Sequence, residues 1–220
     1  MPAQQWFDGV HLVGQFGPHR TGCWLLTHHN ETALLEMPPP SPGEQPPAAA
    51  AAEAAAQLGV AVKHLLCTHS HLDDFCRPTF LQMRRTFPDA VVSLQAGFRP
   101  QAGEQPGVQY FDEELRLEVA GEVLFLVHAP KHSATDTIVI FRGSACVGDW
   151  ELGRLRSAHD GTGSWAVPKP TKLQSIERME RFLGEKNYNV HLVYSVHANE
   201  RREGVDFAEL LAQTRRDRPS

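Results

Sequence analysis

Apolar and polar positions along the chain form two separate groups of short strand-like segments. Apolar or β-branched runs predict strands over residues 10–13, 22–27 and 32–36, followed by a mostly buried strand over residues 60–67. A second group begins at residue 90. Its predicted strands cover residues 90–94, 109–111, 115–119, 122–128, 137–141, 144–147 and 191–196.

Four segments carry helical patterns. An alanine-rich run over residues 48–58 ends at Gly59, a residue suited to the position after a helix. Residues 73–86 predict a helix with Pro78 in its first turn and with an inner side formed by Phe75, Phe80, Leu81 and Met83. Two further helices are predicted over residues 171–183, from the spacing of Leu173, Ile176, Met179 and Phe182, and over residues 206–216.

Two groups of strands, each accompanied by helices, predict an α/β protein with two packed β-sheets and helices outside. The proline-rich segment 38–47 cannot hold a regular element, and the strands before it are too few to bury a core alone. We therefore interpret it as a surface loop within a single domain over residues 1–220. The 220 residues and 41% hydrophobic content fit one globular core.

Charge and cysteine content exclude several classes of protein. A net charge of -5 argues against general nucleic-acid binding, and no apolar run approaches the roughly 18 residues of a membrane helix. The four cysteines form no CxxC pair, and no secretory signal is visible at the start. We expect a cytoplasmic protein with a small-molecule substrate and no nucleic-acid or membrane partner.

Histidines and aspartates follow the ends of several predicted strands. Each of these side chains alone could be a surface turn or a helix cap, but together few purposes other than a metal cluster need the set. The candidates are His69, His71, Asp73 and Asp74 after one strand, then His132, Asp149 and His197 after three others.

The candidates divide into two sites. His69 and His71 are two residues apart in extended backbone, so both project to one side and can bind one ion with His132. Asp73 and Asp74 are expected at the start of the next helix, where they would form the second site with His197. Asp149 would bridge the two sites. The predicted cofactors are two divalent ions, zinc or iron with manganese as an alternative, and Asp73 and Asp149 are the predicted catalytic residues.

The order of these residues resembles the metallo-β-lactamase fold superfamily, whose signature is HxHxDH followed by single His, Asp and His ligands. The segments around His132 (HAPKHSATDT) and Asp149 (CVGDWELG) are also similar to that family. The resemblance implies a four-layer αβ/βα sandwich with metals at the sheet edges. Two positions differ from the pattern: Asp74 stands where histidine is usual, and the strand that commonly ends in Asp-Thr-Gly has Glu36 instead.

Two adjacent divalent ions would lower the pKa of a bridging water, which favours a hydrolase using a metal-bound hydroxide. Its substrate would be an ester, thioester, lactam, lactone or phosphoester. The resemblance also allows an iron-dependent oxidoreductase, either di-iron or like persulfide dioxygenases. A non-catalytic metal-binding protein is the third alternative. Because Asp74 is a short, hard ligand, we expect the second site to be the weaker one and not strictly selective for zinc.

Other residues have expected supporting roles. The candidates for orienting metal-bound imidazoles are Thr68, Ser133, Thr135 and Asp136. Cys67 is expected to be a buried packing residue. The segment 151–170, which contains His159, Trp165 and several glycines, is expected to be a mobile wall or lid that faces substrate, together with Trp150.

Overall fold

The computed structural model describes residues 3–156 and 166–217. The first half of the chain forms a seven-stranded sheet whose strands are hydrogen-bonded in chain order. They are β1 (Gln4–Phe7), β2 (Val10–Phe16), β3 (Thr21–His28), β4 (Glu31–Leu35), β5 (Ala61–Leu66), β6 (Val91–Gln95) and β7 (Val108–Phe111). Three helices belong to this half: α1 (Pro47–Leu58), α2 (Arg77–Thr86) and the short α3 (Arg99–Ala102), which follows a 3₁₀ turn over Ala96–Phe98.

The second half forms a six-stranded sheet and two helices. Its strands are β8 (Glu114–Val119), β9 (Glu122–His128), β10 (Thr137–Phe141), β11 (Ser144–Cys146), β12 (Leu192–Tyr194) and β13 (Arg201–Glu203). In space they follow the order β13-β12-β11-β10-β9-β8. Strand β12 runs parallel to β11, which requires the crossover that contains α4 (Lys169–Lys186), and α5 (Phe207–Arg216) follows β13.

Three buried clusters define the layers. Alanines of α1 and the side chains of Phe80 and Met83 on α2 pack against one face of the first sheet. Residues such as Trp24 and Tyr194 fill the space between the two sheets. Helices α4 and α5 cover the outer face of the second sheet. The fold is therefore the predicted four-layer sandwich of two mixed β-sheets with helices outside. No helix in the described part of the chain is both long and apolar enough to cross a membrane.

Most predicted elements are confirmed, and two strands have the predicted bounds, β9 and β10. Gly59 follows α1 with a φ of 67°, and Pro78 lies in the first turn of α2, as expected. The pattern missed the two short edge strands β1 and β13: Arg201–Glu203 is polar throughout, and Gln4–Phe7 has only two apolar residues, at its end.

The prediction that a helix begins at Asp73 is wrong, because α2 begins at Arg77. Residues 72–74 form a turn in which the backbone N–H of Asp74 donates to the carbonyl of His71. Phe75 then pairs with Met37 in an isolated parallel β-bridge. These bonds occupy the backbone groups that a helix would need, so the chain becomes helical only after them.

Candidate metal centre

The seven predicted ligand residues all follow the carboxyl ends of strands. His69, His71, Asp73 and Asp74 follow β5 of the first sheet, whereas His132, Asp149 and His197 follow β9, β11 and β12 of the second sheet. The donor atoms of these residues come together in overlapping groups of three. The cluster therefore lies where the edges of the two sheets meet, and each sheet supplies part of it.

The first group consists of the three imidazoles of His69, His71 and His132, whose donor atoms lie within 4.8 Å of one another. Nδ1 of His71 is 3.0 Å from Nε2 of His132. Two donors that each lie about 2.1 Å from a shared ion are separated by about 3 Å or slightly more. The separation is therefore that of neighbouring ligands of one ion.

Asp149 lies between the two predicted sites. Its Oδ2 is 3.6 Å from Nε2 of His69 and 3.7 Å from Nε2 of His132, while its Oδ1 is 3.2 Å from Nε2 of His197. One oxygen thus faces the three-histidine group and the other faces His197. This is the position expected for the bridging carboxylate, and a metal-binding role for Asp149 remains a prediction.

The second group consists of Asp73, Asp74 and His197, with donor atoms again within 4.8 Å of one another. Asp74 is fully buried, and neither of its carboxylate oxygens accepts a hydrogen bond of ordinary geometry from the described residues. A buried carboxylate without hydrogen bonds is costly unless a cation compensates its charge. The residues present therefore fit a bound divalent ion.

Buried polar side chains support the loop that carries His69. Oγ1 of Thr68 is 3.0 Å from Nδ1 of His69, so it can orient that ring, as predicted. The carboxylate of Glu36 accepts the backbone N–H of Thr68 at 2.9 Å and the thiol of Cys67 at 2.9 Å. Burial and the nearby charge of Asp74 raise the pKa of Glu36 to about 8. Glu36 thus ties the end of β4 to the ligand-bearing loop.

Asp136 supports His132 through the backbone and contacts no imidazole. Its Oδ2 accepts the N–H groups of Lys131 and His132 at 2.8 and 2.6 Å, and its Oδ1 accepts the Ser133 hydroxyl at 2.5 Å. The indole N–H of Trp150 donates to the same Oδ2 at 3.2 Å. One carboxylate therefore joins the loop of His132 to the residue after Asp149.

Ser133 and Thr135 likewise contact loop atoms, and Thr135 Oγ1 accepts the Ser70 N–H at 2.9 Å.

Opposing charges perturb the ionisation of the cluster. Burial alone would lower the pKa of His197, but the hydrogen bond and charge of Asp149 outweigh it and raise the value to about 9. Burial raises the pKa of Asp74 to about 6, although the neighbouring His69 acts in the opposite direction. Burial and the charges of His69 and His132 lower the pKa of His71 to about 4. The carboxylates therefore attract positive charge into the site.

A cavity of about 850 Å³ opens onto the cluster. Besides five predicted ligands, its lining residues are His19, Trp150, Glu151, Leu152, Arg154, Ser195, Asn199, Glu200 and Arg202. Nothing in the local sequence distinguishes His19, Ser195, Asn199 or Glu200 as residues of a site. Only the packing of the β2–β3 turn and the loop after β12 beside the ligands brings them to the cavity.

The predicted lid can be followed only in part. His159, Gly161, Gly163 and Trp165 lie outside the described residues. Trp150 is almost wholly buried, and its indole N–H also donates to the carbonyl of Ala129 at 3.1 Å. It is therefore a packing residue whose edge lines the cavity, and not a contact surface on a mobile backbone.

Comparison with known proteins identifies the fold. No protein-family model and no curated protein sequence matches the chain. Among solved structures, a metallo-β-lactamase family protein from Thermus thermophilus is 20% identical, with a TM-score of 0.63 over 96% of this chain and 79% of that one. ETHE1 from Myxococcus xanthus is 17% identical, with a TM-score of 0.65 over 98% of this chain and 84% of that one.

A third similar structure is rubredoxin oxygen:oxidoreductase from Desulfovibrio gigas, which is 12% identical with a TM-score of 0.67. The match covers 97% of this chain and 60% of that one. The chain therefore has the metallo-β-lactamase fold, as its sequence motifs indicated. Proteins that share this fold include both lactamases and an oxidoreductase, so the reaction must be argued from the site.

Proposed function

We propose that the protein is a metal-dependent hydrolase of an ester, thioester, lactam, lactone or phosphoester. The observation that carries this proposal is the convergence of four histidines and three aspartates in one cluster, five of which line the same cavity. The donor separations of 3.0 to 3.7 Å suit ligands of shared ions, and the cavity leaves room for a small-molecule substrate.

In this proposal the side chains divide the work. His69, His71 and His132 hold one ion, Asp73, Asp74 and His197 hold the other, and Asp149 lies between them. When bound, two divalent ions supply a water of lowered pKa and polarise the carbonyl or phosphoryl oxygen of the substrate. Asp73 is half-buried and lines the cavity, where its carboxylate can accept a proton from the attacking water or return it to the leaving group.

An iron-dependent oxidoreductase is the second candidate, and one observation favours it. The cluster contains three carboxylates, those of Asp73, Asp74 and Asp149. Carboxylate oxygens are better ligands for iron and manganese than a set made only of imidazoles would be. The similarity to rubredoxin oxygen:oxidoreductase is consistent with this candidate. The match covers 97% of this chain and 60% of that protein.

Elemental analysis of the natively purified protein, followed by activity assays, separates the candidates. We expect about two divalent ions per chain and turnover of chromogenic esters or phosphodiesters that a chelator abolishes and added metal restores. Iron with visible absorbance and no hydrolysis would instead support the oxidoreductase. Bound metal without turnover or redox activity would contradict both and leave a metal-binding protein without catalysis.

A further inference from the structure

Asp74 is shared between the two predicted metal sites. It belongs to a donor group with His69 and Asp149, and also to a donor group with Asp73 and His197. Its Oδ2 lies 3.1 Å from Nε2 of His69, which is the nitrogen that faces the first site. This separation suits two neighbouring ligands of one ion. Asp74 therefore reaches the first site as well as the second.

The position of Asp74 is fixed by the backbone. Its N–H donates to the carbonyl of His71 at 3.0 Å, and its own carbonyl accepts the N–H of Met37 at 3.0 Å. The short side chain extends from this anchored turn, and the whole residue is inaccessible to solvent. The carboxylate consequently cannot rotate out of the cluster to be solvated.

Helix capping does not explain Asp74. Helix α2 begins at Arg77 with Cys76 as its N-cap residue, and no side chain makes a capping hydrogen bond there. Both carboxylate oxygens of Asp74 are buried and without hydrogen bonds among the described residues. The ring of His69, 3.1 Å from Oδ2, is the nearest group that can compensate the buried charge, so a fixed carboxylate without ordinary hydrogen bonds favours bound cations.

We propose that Asp74 is a bridging metal ligand, shared by the ion that His69 would hold and the ion that Asp73 and His197 would hold. The centre then has two carboxylate bridges, Asp74 and Asp149. The inference rests on the proposed metal centre but not on the hydrolytic reaction. Histidine at this position offers a single lone pair in its neutral form, so the substitution changes how the two ions are linked as well as one ligand.

A second bridge has a consequence for affinity. A terminal ligand coordinates one ion and acts on the other only through its charge at longer range, whereas a bridging carboxylate coordinates both. Removal of the Asp74 charge should therefore weaken both stepwise binding constants. Oxygen-rich bridged sites also favour hard ions such as manganese or iron over zinc.

The test is stepwise titration of the metal-free full chain with Mn²⁺ and, separately, Zn²⁺, in competition with a chromophoric chelator. We expect Asp74→Asn to weaken the first and the second ion by at least about tenfold each. The matched control is Asp73→Asn, one residue away, which removes the same charge and should weaken the second ion at least about tenfold but the first ion much less. An unchanged first binding constant in Asp74→Asn would overturn the bridge, and so would a wild-type protein that binds fewer than two ions.

Folding is checked by thermal melts in chelator. Asp74→Asn keeps the size of the side chain but removes the charge that faces Nε2 of His69 at 3.1 Å, so the metal-free variant should melt cooperatively but below wild type. Binding of two ions without turnover of any substrate would count against the hydrolase and leave the bridge intact. Hydrolysis by wild type with an unaltered first binding constant in Asp74→Asn would count against the bridge alone.

Discussion

The three-histidine half and the carboxylate half of the centre are built differently. Hydrogen-bonding side chains surround the first half: Thr68 contacts the His69 ring, and Asp136 binds the backbone that carries His132. In the second half, the carboxylate of Asp74 has no hydrogen-bond partner among the described residues. The ring of His197 has its shorter contact with Asp149, whose Oδ1 is 3.2 Å from Nε2. On the other side of the ring, Oγ1 of Thr21 is 3.5 Å from Nδ1.

The two halves of the centre therefore differ in how rigidly their ligands are held and in how much negative charge they contain. The first half holds the His69 ring and the backbone of His132 in place through neighbouring protein groups, so little reorganisation is needed there to bind an ion. The second half concentrates negative charge in a buried space and depends on a cation to balance it. We therefore expect the first half to determine whether metal binds and the second half to determine which metal binds.

The largest expected effect comes from removing a ligand of the first half. His132→Ala should lower metal affinity by more than about 100-fold and abolish activity, because His69 and His71 cannot complete the coordination shell alone. Metal content after dialysis and activity on the same sample measure this. His128→Ala is the control, since its Nε2 contacts only the carbonyl of Ala134 among the described residues. Equal metal content in the two variants would remove His132 from the ligand set.

A smaller loss of metal affinity is expected when a residue that supports the His132 loop is substituted. Asp136→Asn places an amide N–H₂ among backbone N–H donors, so it should loosen the His132 loop and weaken the first ion by about 10- to 100-fold. The visible spectrum of the Co²⁺-loaded protein should change with it, which reports ligand geometry directly. Trp150→Phe removes a single donor to Asp136 and should show only a fraction of the effect. A Co²⁺ spectrum identical to that of wild type would show that Asp136 has no influence on the ligands.

Replacing Asp74 by histidine restores the HxHxDH signature in the carboxylate half of the centre. Asp74→His should raise the zinc occupancy of the second site relative to manganese, because a nitrogen ligand replaces a hard oxygen. The measurement is metal content after exposure to equal concentrations of both ions. A zinc-to-manganese ratio that does not change would contradict the idea that this half selects the metal.

The smallest effect is expected at the cavity wall, outside both halves. His19 is exposed and lines the cavity without belonging to a donor group among the described residues. His19→Ala should alter KM by a few-fold for a hydrolysed substrate and leave metal content unchanged. His29→Ala on the β3–β4 turn serves as a surface control. Loss of metal in His19→Ala would show that His19 is itself a metal ligand.

The sequence by itself determined the two sheets, most helices and the residues of the candidate centre. Strand periodicity is local, and metal ligands come from a few residue types such as His, Cys, Asp and Glu, so both leave a signal in the order of residues. His69 and His71 could be grouped because extended backbone places alternate side chains on one side. The departure at Asp74 was also visible in the sequence, although its contact with His69 was not.

The way in which the supporting groups contact that centre, and the residues that surround it, depend on the tertiary structure. Because Met37 pairs with Phe75, α2 begins only at Arg77, and Asp74 lies in a turn where it belongs to two donor groups. The bonds from Glu36 to Thr68 and from Asp136 to the His132 loop join residues on different strands or across a loop. His19 reaches the cavity only through the packing of a distant hairpin. Such contacts depend on how sheets and loops pack, and a side chain that serves one of them has no distinctive local pattern.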